Sequence, residues 1–115
     1  QALDTVTDSI MIADSHNRII FTNKTFTIHT GYENSEVVGK FANFLRAEKD
    51  FTLEKEIWSK LMQKKAWEGN IKNKSKSGAL LNDYTVITPI MSKEVDIPAF
   101  FLYIKRFDNA LGEKE

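Results

Sequence analysis

At 115 residues, 42% of them hydrophobic and 28% charged, the chain has the composition of one globular domain with a single core, and not enough length for two. Its net charge of zero removes the global basic field that would draw it to nucleic acid or to an anionic membrane. The lack of any cysteine excludes disulfides, thiolate metal sites and cysteine nucleophiles together.

No apolar run approaches membrane-spanning length. The opening Q-A-L-D-T-V-T-D is too polar for a signal peptide, so a cytoplasmic location is expected. The start without Met and the charged end Gly112-Glu113-Lys114-Glu115 read as a fragment of a longer polypeptide.

Residues 1–7 are predicted to form a short helix with Ala2, Leu3 and Val6 on one side. Residues 9–14 and 18–22 read as two strands, joined by the turn-forming Ser15, His16, Asn17 and Arg18. Asn23 is placed to cap a short helix that carries Phe26 and His29 and ends at Gly31. A second short turn begins at Asn34 or Ser35 and stops at Gly39, and residues 40–50 read as irregular. The long helix is predicted near 51–64, because Leu53, Ile57 and Leu61 recur every four residues with Trp58 and Met62 beside them.

The most informative stretch is Trp67 to Ile90, which reads as a long hairpin. Trp67, Gly69, Ile71 and Asn73 share one face, and Glu68, Asn70, Lys72 and Lys74 share the other. Ser75, Lys76, Ser77 and Gly78 make the turn. Strands are thus predicted at 67–75 and 79–91, with a last apolar strand at 98–107. Five antiparallel strands with helices packed on one face make an α+β fold.

In that order the residues resemble the PAS domain family. The resemblance rests on D-S-H-N-R-I-I-F-T-N-K-T-F from Asp14, T-G-Y-E-N-S-E-V-V-G-K from Thr30, W-E-G-N-I-K-N-K-S-K-S-G from Trp67, and T-P-I from Thr88. It covers almost the whole chain. It implies a five-stranded sheet cupping a helical face over a small pocket. It also implies a single sensor or dimerisation module, residues 1–115, of a larger signalling protein. Such modules are often attached to histidine kinases, diguanylate cyclases or chemoreceptors. The run Ile57 to Gly69 is most similar to the redox-sensing flavin PAS domains of the nitrogen-fixation regulator type.

Cofactors follow from the same resemblance. Photochemical flavin relatives need a cysteine near Phe41 to Arg46, where this chain has Ala42. Haem is not expected, since residues 51–65 hold no histidine; His16 sits in a turn, and His29 reads as a packed helix residue. Non-covalent FAD remains an alternative. Asn73 matches the first pocket amide of flavin-binding relatives. Asp83 departs from the second, Tyr103 fills the small position that admits the ring, and Lys105 stands at the glutamine or histidine position.

By alternation Asp83 and Lys105 share a face with Thr85, Phe101 and Tyr103. The two charges are either a cross-strand ion pair on a half-wet face or the polar floor of a ligand site. The candidate pocket residues are therefore Asn73, Asp83, Lys105, Tyr103, Phe101, Thr85, Ile71 and Trp67, with a small polar or anionic metabolite held by Lys105 as the expected occupant. No catalytic or metal-binding constellation is visible, and no enzymatic activity is expected. Phe100, Leu102 and Ile104 make the outer sheet face apolar. A homodimer built from that face and the helix at 1–7 is expected, and Asp108 and Asn109 are placed to cap a helix leading to an output domain.

Overall fold

The computed structural model describes residues 8–106. The helix expected at 1–7 and the one expected after Asp108 lie outside the described residues. Within them, the strands are β1 (Ser9–Asp14), β2 (Ile19–Thr22), β3 (Trp67–Lys74), β4 (Leu80–Met91) and β5 (Pro98–Lys105). The helices are α1 (Lys24–Thr30), α2 (Asn34–Val37), a 3₁₀ turn (Ala42–Leu45) and α3 (Phe51–Met62). The five strands form one antiparallel sheet in the order β2-β1-β5-β4-β3.

Local signals account for most of the boundaries. Asp14 Oδ1 accepts from the backbone N–H groups of His16 and Arg18, which closes the β1–β2 turn. Asn23 caps α1 by accepting from Phe26 N at 3.0 Å. It also accepts from Ile10 N and donates to the Asp8 carbonyl, so one buried amide ties the start of the sheet to the start of the helix. Gly31 ends α1 with φ +84°, a conformation that favours glycine. Asp50 caps α3 through Leu53 N, and the helix stops at Met62, two residues short of the expected end.

The core lies between the sheet and the helices. Met11, Ala13, Ile71, Ile87, Phe101 and Tyr103 face it from the strands, and Phe26, Val37, Ala42, Leu45, Ile57 and Leu61 meet them from the other side. The Trp58 ring of α3 stands edge-on to Phe101, with centroids 5.0 Å apart. The period-two reading of β3 holds residue by residue: Trp67, Ile71 and Asn73 are buried, and Glu68, Asn70, Lys72 and Lys74 are exposed.

Residues 40–50 are less irregular than the sequence indicates. Arg18 bridges to Phe41 and Arg46 bridges to Asn73, so this segment passes from the β2 edge of the sheet to the β3 edge and carries the 3₁₀ turn. At the middle of the sheet β1 and β5 lie side by side, with Ser9 opposite Lys105. Arg106 Nε reaches to within 3.9 Å of Asp8 Oδ2 there. No helix among the described residues is long and apolar enough to cross a membrane.

Candidate functional site

The β3–β4 hairpin places Asn73 and Asp83 on the inner face, two strand positions apart in register, because Ile71 pairs with Asp83 and Asn73 with Leu81. Both are buried. Asn73 Nδ2 donates to Asp83 Oδ2 at 2.9 Å. The other carboxylate oxygen, Oδ1, lies 2.8 Å from His29 Nε2 on α1. The side chains of His29 and Asp83 are 14% and 4% exposed, so this is a contact largely withdrawn from water. A buried carboxylate needs such partners, since leaving it unpaired costs several kcal/mol by order of magnitude.

This chain of contacts borders a cavity of about 40 Å³ between sheet and helices. Its polar lining includes Ser9, His29, Thr30, Arg46, Asn73, Asp83 and Lys105. Tyr103, Thr85 and Ile71 also face it. Six of the eight residues singled out from the sequence thus meet at one place. Trp67 and Phe101 lie in the core beside it: Trp67 donates from Nε1 to Glu56 at 3.2 Å, and Phe101 packs on Trp58.

The carboxylate's neighbours differ from the cross-strand pair that alternation offers. Asp83 is bonded to His29 and Asn73. Lys105 sits opposite Thr85 and sends its ammonium to the carbonyl of Arg106 at 2.6 Å. The physical reason is register: Lys105 is two positions along from Asp83, whereas α1 crosses directly over the carboxylate.

Among the lining residues that escaped sequence reasoning, two are ionisable. His29 reads as an ordinary helix residue because nothing local announces a partner 54 positions away. Arg46 falls in the segment read as irregular. Its guanidinium Nε donates to Glu54 Oε2 at 2.7 Å, with both side chains mostly buried, and the same residue lines the surface grooves beside residues 43–54. Arg46 therefore stands between the cavity and the outside.

Tyr103 limits what the cavity holds. It is buried, and its hydroxyl donates to Asn17 Oδ1 at 2.7 Å. Burial pushes that hydroxyl up to about 12, with nearby Glu54 adding to the rise and Arg46 and the Asn17 bond opposing it. One atom of the site lacks a partner: among the described residues Asn73 Oδ1 is buried with nothing to accept from. Such an atom marks where a donor belongs.

A flavin tests poorly against this geometry. The orphaned Asn73 amide suits it, but a bound ring of that class needs roughly 300 Å³ or more. The cavity offers about a tenth of this, and Tyr103 is pinned across it. Among the described residues no group of three His, Asp or Glu side chains is placed to hold a metal ion.

Comparison with known proteins gives a consistent picture. A family model described as PAS, the PAS fold, matches residues 1–104. The nitrogen fixation regulatory protein of Klebsiella oxytoca is 24% identical over 90 residues, covering 77% of this chain and 18% of that protein. Its counterpart in Klebsiella pneumoniae is 23% identical over 90 residues, with the same coverage. The chain thus spans under a fifth of the length of these curated relatives. Among solved structures, the PAS domain of a protein from Colwellia psychrerythraea superposes with a TM-score of 0.84 at 26% identity, covering 91% of this chain and 89% of that one. The LOV domain of a blue-light activated histidine kinase from Erythrobacter litoralis EL346 does so with a TM-score of 0.77 at 25% identity, covering 88% and 95%.

Proposed function

The chain belongs to the PAS fold family, and on that premise we propose that it is a regulatory sensory module which binds a small ligand and passes its occupancy to an attached output domain. The observation that carries the reading is the buried His29–Asp83–Asn73 chain bordering a cavity with one unmatched acceptor. A buried carboxylate adds little to core stability, because apolar residues of similar volume often serve as well or better. The regulatory relatives in Klebsiella and the sensor kinase from Erythrobacter litoralis support the signalling part.

In this reading the module is non-enzymatic, cytoplasmic and one domain of a longer signalling protein of histidine kinase, diguanylate cyclase or chemoreceptor type. Ligand acts by population shift, favouring one arrangement of α1 against the sheet. FAD as a redox-sensing cofactor is the weaker form of the proposal, since it requires Tyr103 to leave its Asn17 bond. Assembly belongs to the same proposal. Ile12, Ile20, Ile90, Phe100 and Leu102 make a wholly apolar groove on the outer sheet face, and a homodimer that also uses residues 1–7 covers it.

A metabolite thermal-shift screen on the wild type and on Lys105→Met tests the sensor. Compounds that raise the melting temperature support it, and loss of the shift in Lys105→Met assigns an anion-binding role to Lys105. A colourless protein with no response to any compound would leave a ligand-free dimerisation scaffold.

A further inference from the structure

Around Asn73 and Asp83 the cavity lining offers acceptors with spare lone pairs. Asn73 gives an N–H of its amide to Asp83 Oδ2, and among the described residues its Oδ1 is buried without a partner. Asp83 is acceptor-only when ionised, and each of its oxygens has taken one bond and keeps a second lone pair. Thr85 spends its hydroxyl proton on the Asp83 carbonyl, and Tyr103 spends its own on Asn17. The cationic side chains of the lining are engaged with other partners, although the Arg46 backbone bridges to Asn73. Arg46 is held by Glu54, and Lys105 reaches the carbonyl of Arg106.

We infer that this end of the cavity takes a planar N–H donor of urea, amidine or guanidine type, offered to Asn73 Oδ1 beside the Asp83 carboxylate. The inference rests on the reading of the cavity as a ligand site, and gives that site a polarity opposite to an anion held by Lys105. The size agrees. A buried water needs on the order of 10–15 Å³, so a cavity of about 40 Å³ suits only a small group of a few heavy atoms. A group with two N–H donors can offer the second to a remaining lone pair of Asp83, and matched bidentate contacts are the ones that give selectivity.

Guanidinium and nitrate provide the test, because they are flat, trigonal and of equal heavy-atom count, one all donor and the other all acceptor. Urea is the neutral donor control. All three are titrated at millimolar concentration, far below denaturing levels, while nitrogen NMR follows the Asn73 side-chain amide and the backbone amides of Ile71 and Thr85. The expected result is saturable shifts with guanidinium or urea and none with nitrate. In Asn73→Leu the donor affinity should fall about tenfold or more. If that variant does not fold, Asp83→Asn replaces it, and guanidinium should then lose more affinity than urea. Shifts with nitrate alone, or donor shifts that survive in the variant, overturn the inference. Silence from every probe also overturns it, and means that the acceptor is met by water. An anionic hit in the metabolite screen alongside silent donor probes sinks this inference while leaving the sensor reading standing.

Discussion

His29 is the residue whose importance lies entirely in its tertiary partner. Replacing it with Leu leaves the Asp83 carboxylate buried with one partner fewer, which costs about 2 kcal/mol of folding stability in urea unfolding. Adding Asp83→Leu should recover part of that loss, because two apolar groups then face each other; a double variant weaker than the sum of the singles would refute the coupling. Tyr103 gives a second prediction. Folded, its hydroxyl keeps its proton up to about 12, whereas in the unfolded chain it releases it near the ordinary value of roughly 10. Between those values the unfolded state binds fewer protons, so this contribution is complete below pH 10 and is lost as pH rises toward 12. Wild type should therefore lose stability faster than Tyr103→Phe across that window; parallel curves would contradict it. At this scale alternation was enough to put Asn73, Asp83 and Tyr103 on the inner face. It was silent about His29, because a strand pattern says which way a side chain points and nothing about which helix crosses above it.

The elements were legible wherever a local signal ends them: Asn23 and Gly31 bound α1, and the polar face of β3 ends at a glycine-containing turn. They were not legible at 40–50, where conformation is set from a distance. There Ala42 N donates to the Asn17 carbonyl and Ala47 N to the Lys72 carbonyl, contacts that exist only once the sheet has formed. A less obvious dependence lies within β3. Gly69 lacks a side chain because the Trp67 ring folds over it: a Cβ at that position would stand 2.9 Å from two ring carbons. Gly69→Ala should therefore push the ring outward, break its bond to Glu56 and cost about 1–3 kcal/mol. A red-shifted emission from Trp67, read in a Trp58→Phe background, checks the displacement. Unchanged emission and stability would mean that the ring has another resting place.

Among the described residues the outer sheet face carries an apolar groove, and association is the whole-molecule property most easily measured. Sedimentation should show a concentration-dependent dimer that Phe100→Lys dissociates; a monomer at high micromolar concentration would count against the proposed assembly. The pairing of Ser9 with Lys105 has a different consequence, which is mechanical. The neighbouring strands β1 and β5 run in opposite directions, so Asp8 and Arg106 leave the sheet from the same end. Tension applied across these two residues peels the centre of the sheet apart one hydrogen bond at a time, starting with the clasp between their side chains. Tension across His16 and Arg106 instead loads every bond between the two strands together. Because the chain contains no cysteine, single-thiol handles can be set at either pair without interference. In optical tweezers the first attachment should give way at a clearly lower force than the second, so that the domain yields to a pull that opens the sheet sideways while resisting one along its strands.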